Sequence, residues 1–144
     1  MRQPTETTPI ILPGQQITSQ SPESFPSPSN GHITWRTLLS TPQTPSSDMC
    51  AGLATCPPRT GYLACHRHTQ AEIYYITSGS GVVVIDGAEH VVSKGTVVFI
   101  PGDAEHGVRN EAGEPLEWFY VFPTAGFGDV VYRFSPGGEE KAKL

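Results

Sequence analysis

Basic residues are scarce in this chain: nine Lys and Arg stand against fourteen Asp and Glu, for a net charge of −5 and a pI near 5.4. A nucleic-acid binder needs a basic stripe to neutralise phosphates, and an acidic surface is a poor match for anionic lipid. Neither nucleic acid nor membrane is therefore an expected partner. Cysteine is sparser still. Cys50, Cys56 and Cys65 cannot close a complete disulfide framework, and no two have Cys-x-x-Cys spacing. Reduced, packed thiols in a cytoplasmic protein are the expectation. Long apolar runs are missing: the N-terminal run Ile10-Ile11-Leu12 is far shorter than a signal-peptide core or a membrane span. Helical periodicity of useful length is missing too, as are an internal repeat, a glycine-rich phosphate loop and a Gly-x-Ser-x-Gly nucleophile elbow.

A length of 144 residues suits one domain with a single core. Residues 1–30 are rich in Pro, Ser, Thr and Gln, with too little apolar surface to offset the entropy of ordering them, so a flexible arm is predicted there. Within it, Pro9-Ile10-Ile11-Leu12 is an extended apolar stretch suited to pairing on a sheet edge, its own or a neighbour's. Thr41 to Asp48 reads as an exposed loop. A β domain is expected over residues 31–136, followed by a polar tail over 137–144.

From Ile33 onward, short segments rich in β-branched and aromatic residues alternate with turn residues. The segments are Ile33–Leu39, Cys50–Cys56, Ile73–Thr77, Gly81–Ile85, Glu89–Val92, Thr96–Ile100 and Leu116–Phe122, with a last strand near Asp129–Phe134. Asp86-Gly87 is a two-residue hairpin signal. Eight or more short strands broken by Gly, Pro and Asp predict an all-β barrel or sandwich of antiparallel strands.

The chemistry concentrates in Gly61-Tyr-Leu-Ala-Cys-His66-Arg-His68-Thr-Gln-Ala-Glu72. Residues two apart on a strand share a face, so His66 and His68 point together, with Tyr62 and Ala64 on the same side. Cys65 and Arg67 then point away. Glu72 opens the next strand, with Tyr74 and Ile76 on its side, and His106 follows a turn at Pro101–Glu105 that can bring it back across the barrel. Three neutral imidazoles and one carboxylate suit Fe, Mn, Ni, Co or Zn. On an octahedral ion they leave two adjacent positions open. His32 and His90 have no such setting and are expected at the surface.

These residues resemble the two motifs of the cupin superfamily. Gly61, His66, His68, Glu72 and Gly79 fill the first motif, with four residues where five usually precede the first histidine. Gly95, Pro101, His106 and Asn110 fill the second, in which Asp103 occupies the place of the inner glycine and Gly102 lies one residue early. The fifteen residues from Ser80 to Lys94 are the short form of the loop between motifs. The resemblance covers about Trp35 to Phe134 and implies a single-domain cupin-type jelly roll. It carries the four metal ligands over to His66, His68, Glu72 and His106, around one divalent transition metal ion, with iron first. It also implies a pocket at the barrel mouth, with Tyr62, Tyr74, Ile76 and alternate residues of Trp118–Phe122 as lining candidates. Tyr74, with Glu72, is the candidate for a catalytic role. No inward Arg or Lys is evident, which disfavours a strongly anionic substrate.

By the same resemblance the expected function is a metal-dependent, dioxygenase-like oxidoreductase. Its substrate would be a small organic molecule, aromatic, polyketide-like or terpenoid. Two alternatives share the shell: a non-redox isomerase, decarboxylase or lyase using the metal as a Lewis acid, and a small-molecule-binding module. A homodimer is expected, with Pro9 to Leu12 as a possible exchanged edge.

Overall fold

Alternation along the strands decides which side chains meet. In Leu116–Phe122 the even residues Leu116, Trp118, Tyr120 and Phe122 are buried, and in Glu72–Ser78 the same holds for Glu72, Tyr74 and Ile76. A sheet with one such apolar face is stable only when that face is covered by a second layer.

The computed structural model describes residues 6–143, and it supplies that second layer. The elements in chain order are α1 (Gly14–Ser19), β1 (Glu23–Ser24), β2 (Thr34–Leu39), β3 (Cys50–Cys56), β4 (Gly61–Arg67), β5 (Glu72–Ser78), β6 (Ser80–Ile85), β7 (Ala88–Ser93), β8 (Val97–Ile100), β9 (His106–Asn110), β10 (Leu116–Phe122), β11 (Arg133–Phe134) and α2 (Gly138–Lys143). One sheet has the order β1-β2-β3-β10-β5-β8 and the other β11-β4-β9-β6-β7, with antiparallel pairing throughout. Their inner faces share one core, in which Tyr74, Ile76, Trp118 and Phe122 of the first sheet join Leu63, Val83 and Val108 of the second. This is an all-β jelly roll. The Asp86-Gly87 turn joins β6 to β7, with both residues at positive φ (47° and 80°), the backbone that a two-residue type I′ hairpin requires.

Three expectations are corrected. The flexible arm through residue 30 is replaced, over residues 14–30, by α1, β1 and a 3-10 turn at Pro28–Asn30. Composition missed this because a few contacts suffice: Phe25 packs at 4.9 Å from the Trp35 ring and 5.5 Å from that of Phe134. Gln20 is tied to β2 as well, its Nε2 donating to Thr37 O and its carbonyl accepting from Arg36 Nε, both at 2.7 Å. Pro9–Leu12 forms no strand within the chain, and Ile11 is 87% exposed. The polar tail is helical over Gly138–Lys143 and docked on β4: Ala142 is fully buried, and Gly138 lies so close to Cys65 O that a Cβ there would approach it to 2.4 Å.

The third correction concerns β4. Tyr62 and Ala64 were expected beside His66 on the inner face, but the register with β9 slips between Leu63 and His66. Leu63 pairs with Val108 and His66 with His106, so three steps of β4 match two of β9. This bulge inverts the alternation. Leu63 turns into the core, while Tyr62, Ala64 and Cys65 pack outside it with Val84 and Ala142. Gly107, opposite the bulge, makes it possible, because a Cβ there would lie 2.8 Å from both Cys65 Sγ and Leu63 O.

Candidate metal centre

His66 lies at the end of β4 and His68 just beyond it, Glu72 begins β5 and His106 begins β9, so both sheets deliver side chains to one end of the jelly roll. The structure thus brings together all four residues that the sequence singled out, and each is at most 2% exposed. Arg67, as alternation after the bulge requires, points outward and donates from Nη1 to Asp103 O at 2.8 Å. His32 and His90 lie at the surface.

Each of the three rings is aimed by its own segment. His66 Nδ1 contacts Ala64 O at 2.8 Å, His68 Nδ1 contacts Gln70 O at 3.0 Å, and His106 Nδ1 contacts Ala104 O at 2.9 Å. A backbone carbonyl only accepts, so each Nδ1 carries the proton and a neutral ring presents a lone pair at Nε2. Burial first, then the neighbouring His106 and His68, hold the His66 pKa well below its ordinary value, which keeps that ring neutral.

The ligand atoms of His66, His68 and His106 lie within 4.8 Å of one another. Glu72 Oε1 sits 3.2 Å from His68 Nε2 and 3.3 Å from His106 Nε2. Acceptors therefore converge on one point with no donor among them, and Nε2 of both His66 and His106 is buried without a hydrogen-bond partner. Unpartnered buried polar atoms are costly. A cation set among them satisfies all of them at once, so the donor set fits a divalent transition metal ion, which the three histidines could hold.

Aromatic rings wall the centre. Tyr132 stacks on His66 at 4.4 Å between centroids with 9° between planes, and Phe122 meets His68 edge-on at 5.0 Å. A cavity of about 380 Å³ opens beside it, reached through Glu72, Tyr74 and Tyr132. Of the lining expected from sequence, Tyr74, Trp118 and Tyr120 face the cavity, Ile76 lies in the core behind, and Tyr62 is outside. Burial, and after it the Glu72 carboxylate, push the Tyr74 and Tyr132 phenols well above their ordinary pKa, and Tyr120 likewise. All three phenols are therefore hydrogen-bond donors before any cation binds.

Sequence reasoning missed Phe25, Trp35 and Tyr132. Phe25 lay in the segment expected to be flexible. Trp35 and Tyr132 carry no spacing signal, although Tyr132 stands two residues before Phe134, the pairing partner of His66. Only the fold brings them to the cavity.

The second motif's departure from pattern is explained here. Asp103 adopts φ 63°, a left-handed conformation in which glycine is unstrained and Asp is tolerated better than most residues. Gly102 is required for a different reason: a Cβ there would lie 2.4 Å from Thr69 O.

The comparisons agree with this geometry. The family model described as "Cupin domain" matches residues 52–122, which contain the four converging residues. The chain belongs to the cupin family. It is 43% identical over 110 residues to the dimethylsulfoniopropionate lyase DddW of Ruegeria pomeroyi, a match spanning 75% of this chain and 70% of that protein. Among solved structures, the polyketide cyclase RemF of Streptomyces resistomycificus superposes with a TM-score of 0.73 at 21% identity, covering 93% of this chain and 94% of RemF. A structure of the DMSP lyases RdDddP and RnDddQII gives 0.67 at 18% identity, over 81% of this chain and 63% of that one. These two structural likenesses speak for the fold. Among the described residues, no helix is long and apolar enough to cross a membrane.

Proposed function

We propose that the chain is a metal-dependent lyase that eliminates a leaving group from the β-carbon of a small carboxylic acid, in the manner implied for dimethylsulfoniopropionate. His66, His68, Glu72 and His106 are the ligands. Fe, Mn, Ni, Co and Zn all suit this set. When bound, the cation supplies Lewis acidity and the positive charge that favours a carboxylate or phenolate beside it.

One observation carries the reading: the Glu72 carboxylate and the phenols of Tyr74 and Tyr132 line one cavity beside the converging histidines. Among the described residues no lysine or arginine lines that cavity, so a zwitterion fits it better than a strongly anionic substrate, and its carboxylate belongs at the metal end. That places its α-carbon near the phenols of Tyr74 and Tyr132. Tyr74, beside Glu72 on β5, would take the α-proton at Oη once the charge of a bound cation had offset the burial that otherwise keeps its phenol protonated. The electron pair of that C–H bond becomes the new C=C bond, and the β-carbon–sulfur pair leaves with sulfur. The products are acrylate and dimethyl sulfide, with the proton on Tyr74, and no external oxidant or reductant is needed. Trp118 and Phe122 are themselves buried beside the centre. The 43% identity to a lyase supports this reading over the oxidative one that the sequence first suggests.

The test is anaerobic incubation of metal-loaded protein with dimethylsulfoniopropionate, following dimethyl sulfide and acrylate. Release without oxygen is expected, and Tyr74→Phe is expected to lower kcat by about 100-fold or more, the scale of lost general acid–base catalysis. Oxygen consumption dependent on an aromatic substrate, with no acrylate under any of the five metals, would return the protein to the oxidoreductases.

A further inference from the structure

Among the described residues, the cavity beside the metal centre has fixed charge of one sign only: Glu23 and Glu72 are its acidic lining residues, and no described basic residue accompanies them. Glu72 is turned to the histidines, which leaves Glu23 as the carboxylate of the outer cavity. Its position follows from pairing. Glu23 stands directly opposite Trp35 across the β1–β2 ladder, and directly opposed residues share a face. Two steps along each strand, Phe25 and Thr37 share that face as well. Glu23 is exposed at the rim of the cavity, where Thr37 Oγ1 donates to its Oε2 at 2.6 Å.

Ring faces complete the wall. Phe25 lies 4.9 Å from Trp35 and 6.1 Å from Tyr132, and Tyr120 lines the same cavity. A methylated onium group has no proton to donate. It is recognised by aromatic faces, through their negative quadrupole, and by a nearby carboxylate. An uncharged alkyl group of the same shape gains burial alone. The wall therefore discriminates by charge where it cannot by shape.

We propose that residues 23–26 form the specificity-determining element of this site. Glu23 and Phe25, facing Trp35 and Tyr132, make a subsite for a small sulfonium or quaternary ammonium head. The proposal rests on the lyase reading for the substrate's orientation, carboxylate toward the centre and cationic head toward β1. The N-terminal segment thus selects substrate although it contributes nothing to the metal shell.

Both tryptophans of the chain, Trp35 and Trp118, line the cavity, so intrinsic fluorescence reports its occupancy. The experiment titrates full-length, zinc-loaded protein with two matched pairs that cannot eliminate, since the onium members have no β-carbon and their isosteres no leaving group. These are dimethylsulfonioacetate against 3-methylbutanoate, and glycine betaine against 3,3-dimethylbutanoate. At least one onium probe is expected to bind about fivefold or more tighter than its isostere. The pair with the larger ratio identifies the head. Glu23→Gln is expected to cut that ratio about threefold while moving the isostere's affinity by less than about twofold; Glu23→Asp keeps the ratio. Phe25→Leu lowers it in the same sense. Equal affinities within both pairs overturn the proposal. So does a Glu23→Gln variant that leaves the ratio unchanged, or one that weakens both members equally, which would make Glu23 a packing residue. Because these probes cannot react, a failed subsite shows as lost discrimination, whereas a failed lyase reading shows as absent acrylate.

Discussion

Replacing His106 with leucine is expected to have different consequences in the metal-free and metal-loaded protein. In the metal-free chain His106 is fully buried, and its Nε2 faces Glu72 Oε1 at 3.3 Å, acceptor to acceptor, without a hydrogen bond. Such an atom costs about 1–3 kcal/mol, and leucine removes it. The substitution also loses the Nδ1 bond to Ala104 O, worth about 1 kcal/mol. The two effects oppose each other, so the metal-free stability should move by no more than about 1–2 kcal/mol. In the loaded protein the balance differs. With free metal at about 100 times its Kd, binding stabilises the fold by about 2.7 kcal/mol. For a domain of this size that corresponds to a rise in Tm of roughly 5–11 °C. Scanning calorimetry of wild type and His106→Leu, each chelated and metal-replete, reads all four states. Wild type should show the full rise on loading and the variant less than about 2 °C, each against its own chelated state, the two chelated states differing by no more than roughly 2–8 °C. A variant that keeps the full rise, or a wild type that shows none with Fe, Mn, Ni, Co or Zn, would refute the convergent-acceptor argument.

Other outcomes follow from the same structure. Burial raises the thiol pKa of Cys50 and Cys65 to about 11 and of Cys56 to about 12, so none carries useful thiolate at pH 8. Mass spectrometry should find no carbamidomethyl groups after iodoacetamide treatment of native protein, and three after unfolding. Because these pKa values are raised on folding, the stability they contribute is complete below pH 9.0 and is lost as pH rises toward 11 and 12; a urea midpoint that stays flat over that interval would contradict it. Asp103→Gly should leave stability nearly unchanged, whereas Asp103→Val, forced into φ 63°, should cost about 1–2 kcal/mol in urea denaturation. Equal midpoints would show that backbone conformation at 103 is not limiting. If the exposed Pro9–Leu12 stretch pairs with a second copy, light scattering should give a dimer, and removal of residues 1–12 a monomer; a full-length monomer would end that expectation.

Legibility in the sequence followed how local the determining physics is. The β5, β6 and β10 strands and the Asp86-Gly87 hairpin are written in alternation and turn chemistry, and they appear within a residue or two of where the pattern put them. The His-x-His pair and Glu72 were legible because they lie within seven residues of one another, at the junction of the consecutive strands β4 and β5. The bulge in β4 was not. Nothing in Leu63-Ala64-Cys65 announces it, since it depends on Gly107 leaving room on the neighbouring strand. That one slip exchanged Tyr62 for Leu63 on the inner face. The ordering of residues 14–30 was hidden for a similar reason: Phe25 is one aromatic in a polar stretch, and its partners Trp35, Tyr132 and Phe134 arrive from distant parts of the chain.

The three Nδ1–carbonyl contacts have a consequence for how the centre is loaded. Each joins a histidine to a carbonyl only two residues away, Ala64, Gln70 or Ala104, so the rings acquire their aim from their own backbone turns as the strands form. The ion then meets ligands already turned toward it and needs no search through rotamers. Tyr132, stacked on His66, forms one wall of the cavity beside those ligands.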